Sequence, residues 1–175
     1  SRSDMIHRMS SALSTTLDEL WANRAEGLPL ASPREAVILA SIVEKETGVP
    51  QERPRVAAVF LNRLEKGMPL QTDPTVIYAL RKLGTYDGNI RRVDLAVDSP
   101  YNTYRYAGLP PGPIAAPGQA SLEAAANPAT VPYLYFVSRN DGSHAFATTL
   151  DEHNRNVFEF QIRYFRERRR LLRTP

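Results

Sequence analysis

The sequence predicts an α+β fold, a helical part packed with a small antiparallel sheet and closed by a last helix. Two patterns lead to this. Apolar residues recur at helical spacing through the first half, and Tyr133, Tyr135 and Val137 alternate with Leu134 and Phe136 further on, ahead of the hairpin signal Asn140-Asp141-Gly142-Ser143. A third observation bounds the size: 175 residues, 42% hydrophobic and 23% charged, suffice for one core of ordinary globular composition.

The elements follow in order. Met5, Met9, Leu13, Leu17, Leu20 and Trp21 place a helix within residues 3–26, stopped by Gly27 and Pro29. It either packs on the core or joins an upstream region, so residues 1–31 read as an N-terminal helix and linker. Ser32-Pro33-Arg34-Glu35 opens the second helix with an N-cap, a first-turn proline and an acid three residues after the cap. That helix runs to about Thr47, before Gly48-Val49-Pro50. A third helix over 53–66 turns Val56, Val59, Phe60 and Leu64 inward and ends at Gly67. A fourth lies near Thr75–Leu83, and a short fifth at Ser121–Ala126. Between them, residues 84–118 are rich in Gly, Pro, Tyr and Asn, a length that in compact domains accompanies function. The best strand is Val131–Ser138, returning at His144–Ala147. The last helix starts at Thr149/Asp151 and carries His153, Val157, Phe160 and Phe165.

Composition excludes several chemistries. With no cysteine there is no disulfide, thiolate metal site or cysteine nucleophile. His7, His144 and His153 lack metal-ligand spacing, so no metal is expected, and no nucleophile elbow or phosphate loop is present. No cofactor is implied. The net charge is +3 with a pI near 9.3. Its excess gathers at Arg163–Arg173, within a basic C-terminal helix or tail over 161–175. That run reads as a solvated helix or as a contact for an anionic polymer or membrane surface, without signals of nucleic-acid recognition.

The segment Ser41-Ile42-Val43-Glu44-Lys45-Glu46-Thr47 sets two carboxylates at the end of an apolar run. At about 100° per residue the two acids face different surroundings. Glu44 falls among Val37, Ala40 and Ser41, small neighbours that leave room for a ligand. Glu46 falls with Leu39 and Ile42 and is expected to find a structural partner such as Arg53 or Arg55. Glu44 is therefore expected to be a buried acid of raised pKa facing a cleft, or else half of a buried ion pair. A lone acid suits protonation of a glycosidic oxygen. Asp73, Asp94 and Asp98 are available as a second carboxylate, and Asp73 reads equally as a helix N-cap. The loop from Tyr101 to Ile114 carries aromatic faces, amides and hydroxyls suited to sugars, and also reads as a proline-stiffened structural loop. His144, on the returning strand, reads as a cross-strand hydrogen-bonding residue.

Six segments then occur in one order: Ala40–Thr47, Val59–Leu64, Leu70–Tyr78, Ser99–Tyr104, Gly108–Ile114 and Pro132–Val137. Together they resemble the catalytic domain of the endolytic murein transglycosylases, the YceG-like family, over residues 32–160. The resemblance implies a lysozyme-like cleft. It also implies cleavage of the β-1,4 bond between N-acetylmuramic acid and N-acetylglucosamine in nascent peptidoglycan, leaving 1,6-anhydromuramoyl ends. It assigns the catalytic role to Glu44, acting as acid and then base. Gln71, Thr72, Asp73, Asn102, Thr103 and Tyr104, with Ser41, are expected to bind sugars or orient the acid, and Glu46, Tyr101 and His144 are further candidates. The resemblance implies a membrane-anchored protein acting outside the cytoplasmic membrane, often with a LysM-like domain ahead of this part. Its partners would be peptidoglycan strands, penicillin-binding proteins and the cell-wall synthesis machinery. A glycan-binding module without activity and a muramidase-type hydrolase are the competing readings.

Overall fold

A computed structural model describes residues 1–171; Arg173 of the basic run lies outside the described residues. Seven α-helices and one two-stranded sheet occur among them: α1 (Arg2–Ala22), α2 (Pro33–Glu46), α3 (Arg53–Glu65), α4 (Asp73–Leu83), α5 (Gln119–Ala126), β1 (Tyr135–Ser138), β2 (His144–Ala147), α6 (Leu150–Val157) and α7 (Tyr164–Leu171). The fold is α+β, as expected.

The core is built on α2, whose Leu39, Ala40, Ile42 and Val43 are wholly buried. It packs against α3, through Val56, Ala57 and Phe60, and against α5, through Leu122, Ala124 and Ala125. Alanines along α5 let its backbone lie close to both neighbours. The start of α2 follows the predicted cap: the Ser32 hydroxyl accepts from Glu35 N, and Pro33 occupies the first turn. The Glu35 carboxylate, however, reaches back to Ala31 N at 2.7 Å instead of the Ser32 amide.

α1 ends at Ala22, short of the stretch expected over 3–26, with Asn23 as its C-cap. Leu17, Leu20 and Trp21 pack on the core, whereas Met5, Ile6, Met9 and Leu13 are exposed. The strand expected over 131–138 pairs only from Tyr135, with Phe136 opposite Phe146 and Ser138 opposite His144. Its first half is held instead by side chains of α3. Asn62 Nδ2 donates to Val131 O and Tyr133 O at 2.9 Å each, and Arg63 Nε donates to Leu134 O at 2.7 Å. The hairpin docks through Phe136, edge-on to Phe60 with centroids 5.9 Å apart. α6 lies beneath it, with His153 stacked on Tyr135 at 5.2 Å. A π-helical stretch, Phe158–Arg163, then leads into α7. Among the described residues no helix is long and apolar enough to cross a membrane.

The long segment after α4 has one short 3-10 turn, Asp94–Ala96, and is ordered by buried polar side chains. Asn102 donates from Nδ2 to Leu95 O and Val97 O at 3.0 and 2.8 Å and accepts from Tyr104 N at 3.0 Å. Ser41 accepts from Ile114 N at 3.0 Å while donating to Ile38 O at 2.7 Å, which staples the end of the segment to α2.

Candidate functional site

A cavity of about 310 Å³ opens between the end of α2, the face of α3, the turn before α4 and the hairpin. Glu46, Arg63, Gln71, Thr72, Asp73, Tyr104, Phe136 and His153 contribute to its lining. Glu44 is not part of that lining.

The two acids of α2 diverge as their angular spacing predicts. Glu44 Oε2 accepts from Ser121 Oγ at 2.6 Å and from Gly118 N at 3.0 Å. It sits over the first turn of α5, where a negative charge satisfies orphan amides. These two bonds, Ser121 first, hold its carboxyl below the usual range, aided by the charges of Arg53 and Lys45. The raised pKa expected for Glu44 is therefore corrected: its surroundings favour the carboxylate. The small residues beside it, Ala40 and Ser41, are wholly buried under neighbouring chain, so small size here marks close packing.

Glu46 meets the opposite surroundings. Burial pushes its carboxyl above the ordinary range, and the charge of Asp73 pushes further; a hydrogen bond from Thr72 and the charge of His144 oppose this. Thr72 Oγ1 donates to its Oε2 at 2.5 Å. Neither Arg53 nor Arg55 bonds to it, so the structural partner expected there is a threonine hydroxyl.

Thr72 is itself fixed by the long segment. Its amide donates to Thr103 Oγ1 at 3.1 Å, and Thr103 O accepts from Gln71 N at 3.1 Å. The Thr75 hydroxyl donates to Thr72 O at 2.7 Å, so at the 2.8 Å contact between Thr75 and Thr103 the proton comes from Thr103. Gln71, between these anchors, has φ of +51°, a left-handed conformation that costs a non-glycine residue on the order of 1 kcal/mol or more. Such strain at a cavity wall accompanies function. Thr72, and not Asp73, is the N-cap of α4. Asp73, at the first helical position, accepts from Tyr104 OH at 2.6 Å. Burial, then this bond, raises the Tyr104 phenol and keeps it protonated.

Gln71, Thr72, Asp73 and Tyr104 thus come together with Glu46. Ser41, Asn102 and Thr103 do not reach the cavity surface: each is fully buried, Ser41 and Asn102 bonded to backbone and Thr103 to the Thr72 amide and the Thr75 hydroxyl. Tyr101 packs on Tyr78 with centroids 4.7 Å apart, away from the site. His144 is bound by Glu52, whose two carboxylate oxygens meet its amide at 2.9 Å and its Nδ1 at 2.7 Å. The cross-strand role expected of it is filled by a helix-borne acid. Asp98 and Asp94 bond locally, to Tyr106 OH and Arg91 N.

Two cavity residues escape sequence reasoning. Arg63 donates to Pro69 O and Leu70 O at 3.0 Å each, besides Leu134 O, and lies over the Tyr135 ring at 5.2 Å. Among the described residues, the buried Nδ1 of His153 has no hydrogen-bond partner, and burial lowers its pKa. The only signal for Arg63 was a cation on the inward side of α3, beside Val59 and Phe60.

Fold and cavity together define a helical α+β domain that holds one carboxyl biased toward its neutral form among polar and aromatic groups. The chain belongs to the YceG-like family, whose model matches residues 1–159. A relative in Bacillus subtilis named endolytic murein transglycosylase is 42% identical over 151 residues, covering 86% of this chain and 39% of the relative. A protein of the same name in Streptococcus pneumoniae R6 is 34% identical over 165 residues, covering 86% of this chain and 29% of that one. The chain thus spans well under half the length of these relatives. A crystal structure of a yceG-like protein from Listeria monocytogenes aligns with a TM-score of 0.63 at 48% identity, over 71% of this chain and 39% of that one.

Proposed function

We propose that this domain cleaves the β-1,4 bond between N-acetylmuramic acid and N-acetylglucosamine within peptidoglycan strands, with a single carboxyl at the end of α2 as acid and base; the family resemblance assigns that role to Glu44, and the cavity favours Glu46. The observation that carries the choice of Glu46 is its place in the cavity wall, held by one threonine hydroxyl, where burial pushes its pKa above the ordinary range. The names of the curated relatives supply the substrate class.

The neutral Glu46 carboxyl donates its proton to the glycosidic oxygen as the bond to muramoyl C1 breaks, releasing the glucosaminyl hydroxyl. Positive charge develops at C1, and the muramoyl C6 hydroxyl attacks that carbon, returning its proton to Glu46. The carboxyl ends as it began, no water is consumed, and a 1,6-anhydro ring results. Thr72 fixes the carboxyl's orientation, leaving its other oxygen for the sugar. Tyr104, kept protonated, and Gln71 offer hydrogen bonds to hydroxyl or acetamido groups, and Phe136 offers an apolar face. The reaction takes place outside the cytoplasmic membrane, where the polymer lies, with the wall-synthesis machinery as the setting.

A muramidase-type hydrolase is the second reading, because Asp73 shares the cavity with Glu46 and could activate water. Digestion of purified strands followed by mass spectrometry separates the two: anhydro ends support the first reading and reducing ends the second. Glu46→Gln is expected to abolish release of fragments with the fold intact, while Glu44→Gln retains cleavage. The opposite pattern would return the role to Glu44.

A further inference from the structure

Next to the acid cavity lies a second, smaller one of about 180 Å³, lined by Lys45, Pro74, Ile77, Tyr78, Arg81 and Ile114. The two share their dividing walls: Lys45 precedes Glu46 in α2, and Pro74 follows Asp73 in α4. Pro74, Ile77, Tyr78 and Ile114 give the smaller cavity an apolar lining, and Lys45 and Arg81 are both exposed beside it.

Among the described residues, Lys45 lends its charge to nearby Glu44 but, like Arg81, makes no direct ion pair. The guanidinium carbon of Arg81 lies 5.0 Å from the Tyr86 ring. Two unpaired cations beside an apolar pocket form a receptor for an acid on an apolar or peptide stem. A bare glycan has few such groups, whereas the peptide branch on each muramoyl unit carries free carboxylates.

We infer that the Lys45–Arg81 pocket is a subsite for the carboxylates of the peptide branch, engaged while the muramoyl ring lies against Glu46. The inference rests on the reading of the acid cavity as a glycan-cleaving site. It makes the domain selective for strands whose peptides keep free acids, and it gives a role to the lysine that separates the two glutamates.

The test compares strands with free peptide carboxylates against the same strands after chemical amidation, cleaved by the wild-type chain and by the Lys45→Gln/Arg81→Gln variant. Wild type is expected to prefer the free acids about tenfold in kcat/KM, the scale of a charge-assisted contact. The double variant is expected to bring that ratio near one by losing activity on free-acid strands alone. An unchanged ratio, or an equal loss on both substrates, overturns the inference and leaves the proposed reaction standing. Calorimetry of a disaccharide-peptide with free acids, titrated into the Glu46→Gln and the Glu46→Gln/Lys45→Gln/Arg81→Gln proteins, covers the converse. Weaker binding in the triple variant keeps the subsite even if wild type cleaves nothing; equal binding rejects it.

Discussion

Glu44 and Glu46 end the same helix, and what each meets there sets its acidity. Glu44 meets two donors at the start of α5, whereas Glu46 meets one hydroxyl, a neighbouring carboxylate and little water. Substitution should therefore move stability in opposite directions. Glu46→Gln removes a charge the fold disfavours, keeps an acceptor for Thr72, and is expected to raise Tm at neutral pH. Because Glu46 has a raised folded pKa, its protonated form is the one the fold favours. The advantage of the variant should vanish toward acid and grow as pH climbs past the ordinary carboxylate range, about 4.3. Glu44→Gln is expected to cost about 0.5–2 kcal/mol at neutral pH, as for a lost helix cap. Glu44 has a lowered folded pKa, so that penalty should fade as pH falls through it. Denaturation across pH checks both signs. Asp73→Asn keeps an acceptor for Tyr104 but removes a charge that raises Glu46, so the alkaline limb of kcat/KM should move to lower pH. An unmoved limb would leave burial as the sole source of the shift. The helical spacing showed that the two acids part company. It could not show which side is vacant, because Ala40 and Ser41 read the same whether space or another backbone lies against them.

At the scale of elements, α3 is the part that joins the two halves. Its Phe60 holds the hairpin by an aromatic edge, and its Arg63 gathers carbonyls from the turn before α4 and from the approach to β1. Arg63→Met keeps much of the aliphatic stem but strands three carbonyls. It is expected to cost on the order of 3 kcal/mol or more, read by denaturant unfolding. The cavity should loosen as well, since two of its walls share that guanidinium. Helix order, the cap at Ser32 and the hairpin turn were legible because each depends on neighbours in sequence. The truncated β1 was not: residues 131–134 alternate like a strand, but the carbonyls of Val131, Tyr133 and Leu134 are claimed by Asn62 and Arg63, some seventy positions away. Arg63 itself gave no pattern to read, since its acceptors are backbone atoms.

At the scale of the whole molecule, α1 divides into an exposed half and a packed half. Deleting residues 1–13 removes the exposed Met5, Ile6, Met9 and Leu13, and is expected to change stability by no more than about 0.5 kcal/mol. Deleting through Leu30 also removes Leu17, Leu20, Trp21, Leu28 and the bond from Ala25 N to Ala126 O, and is expected to prevent cooperative unfolding. Circular dichroism melts of the two truncations distinguish them. The path from Thr103 through Thr72 to Glu46 has a further consequence for the order of events in folding. Its bonds close loops of 31 and 26 residues, and the hairpin and His153 complete the cavity from farther still. Long closures form late, once local helices have paid their own entropy. Before then Glu46 is an ordinary, water-exposed carboxylate, ionised and inert as a proton donor. The capacity to hold a proton for donation is thus conferred by completion of the fold, and a chain still being made carries the carboxylate without that proton.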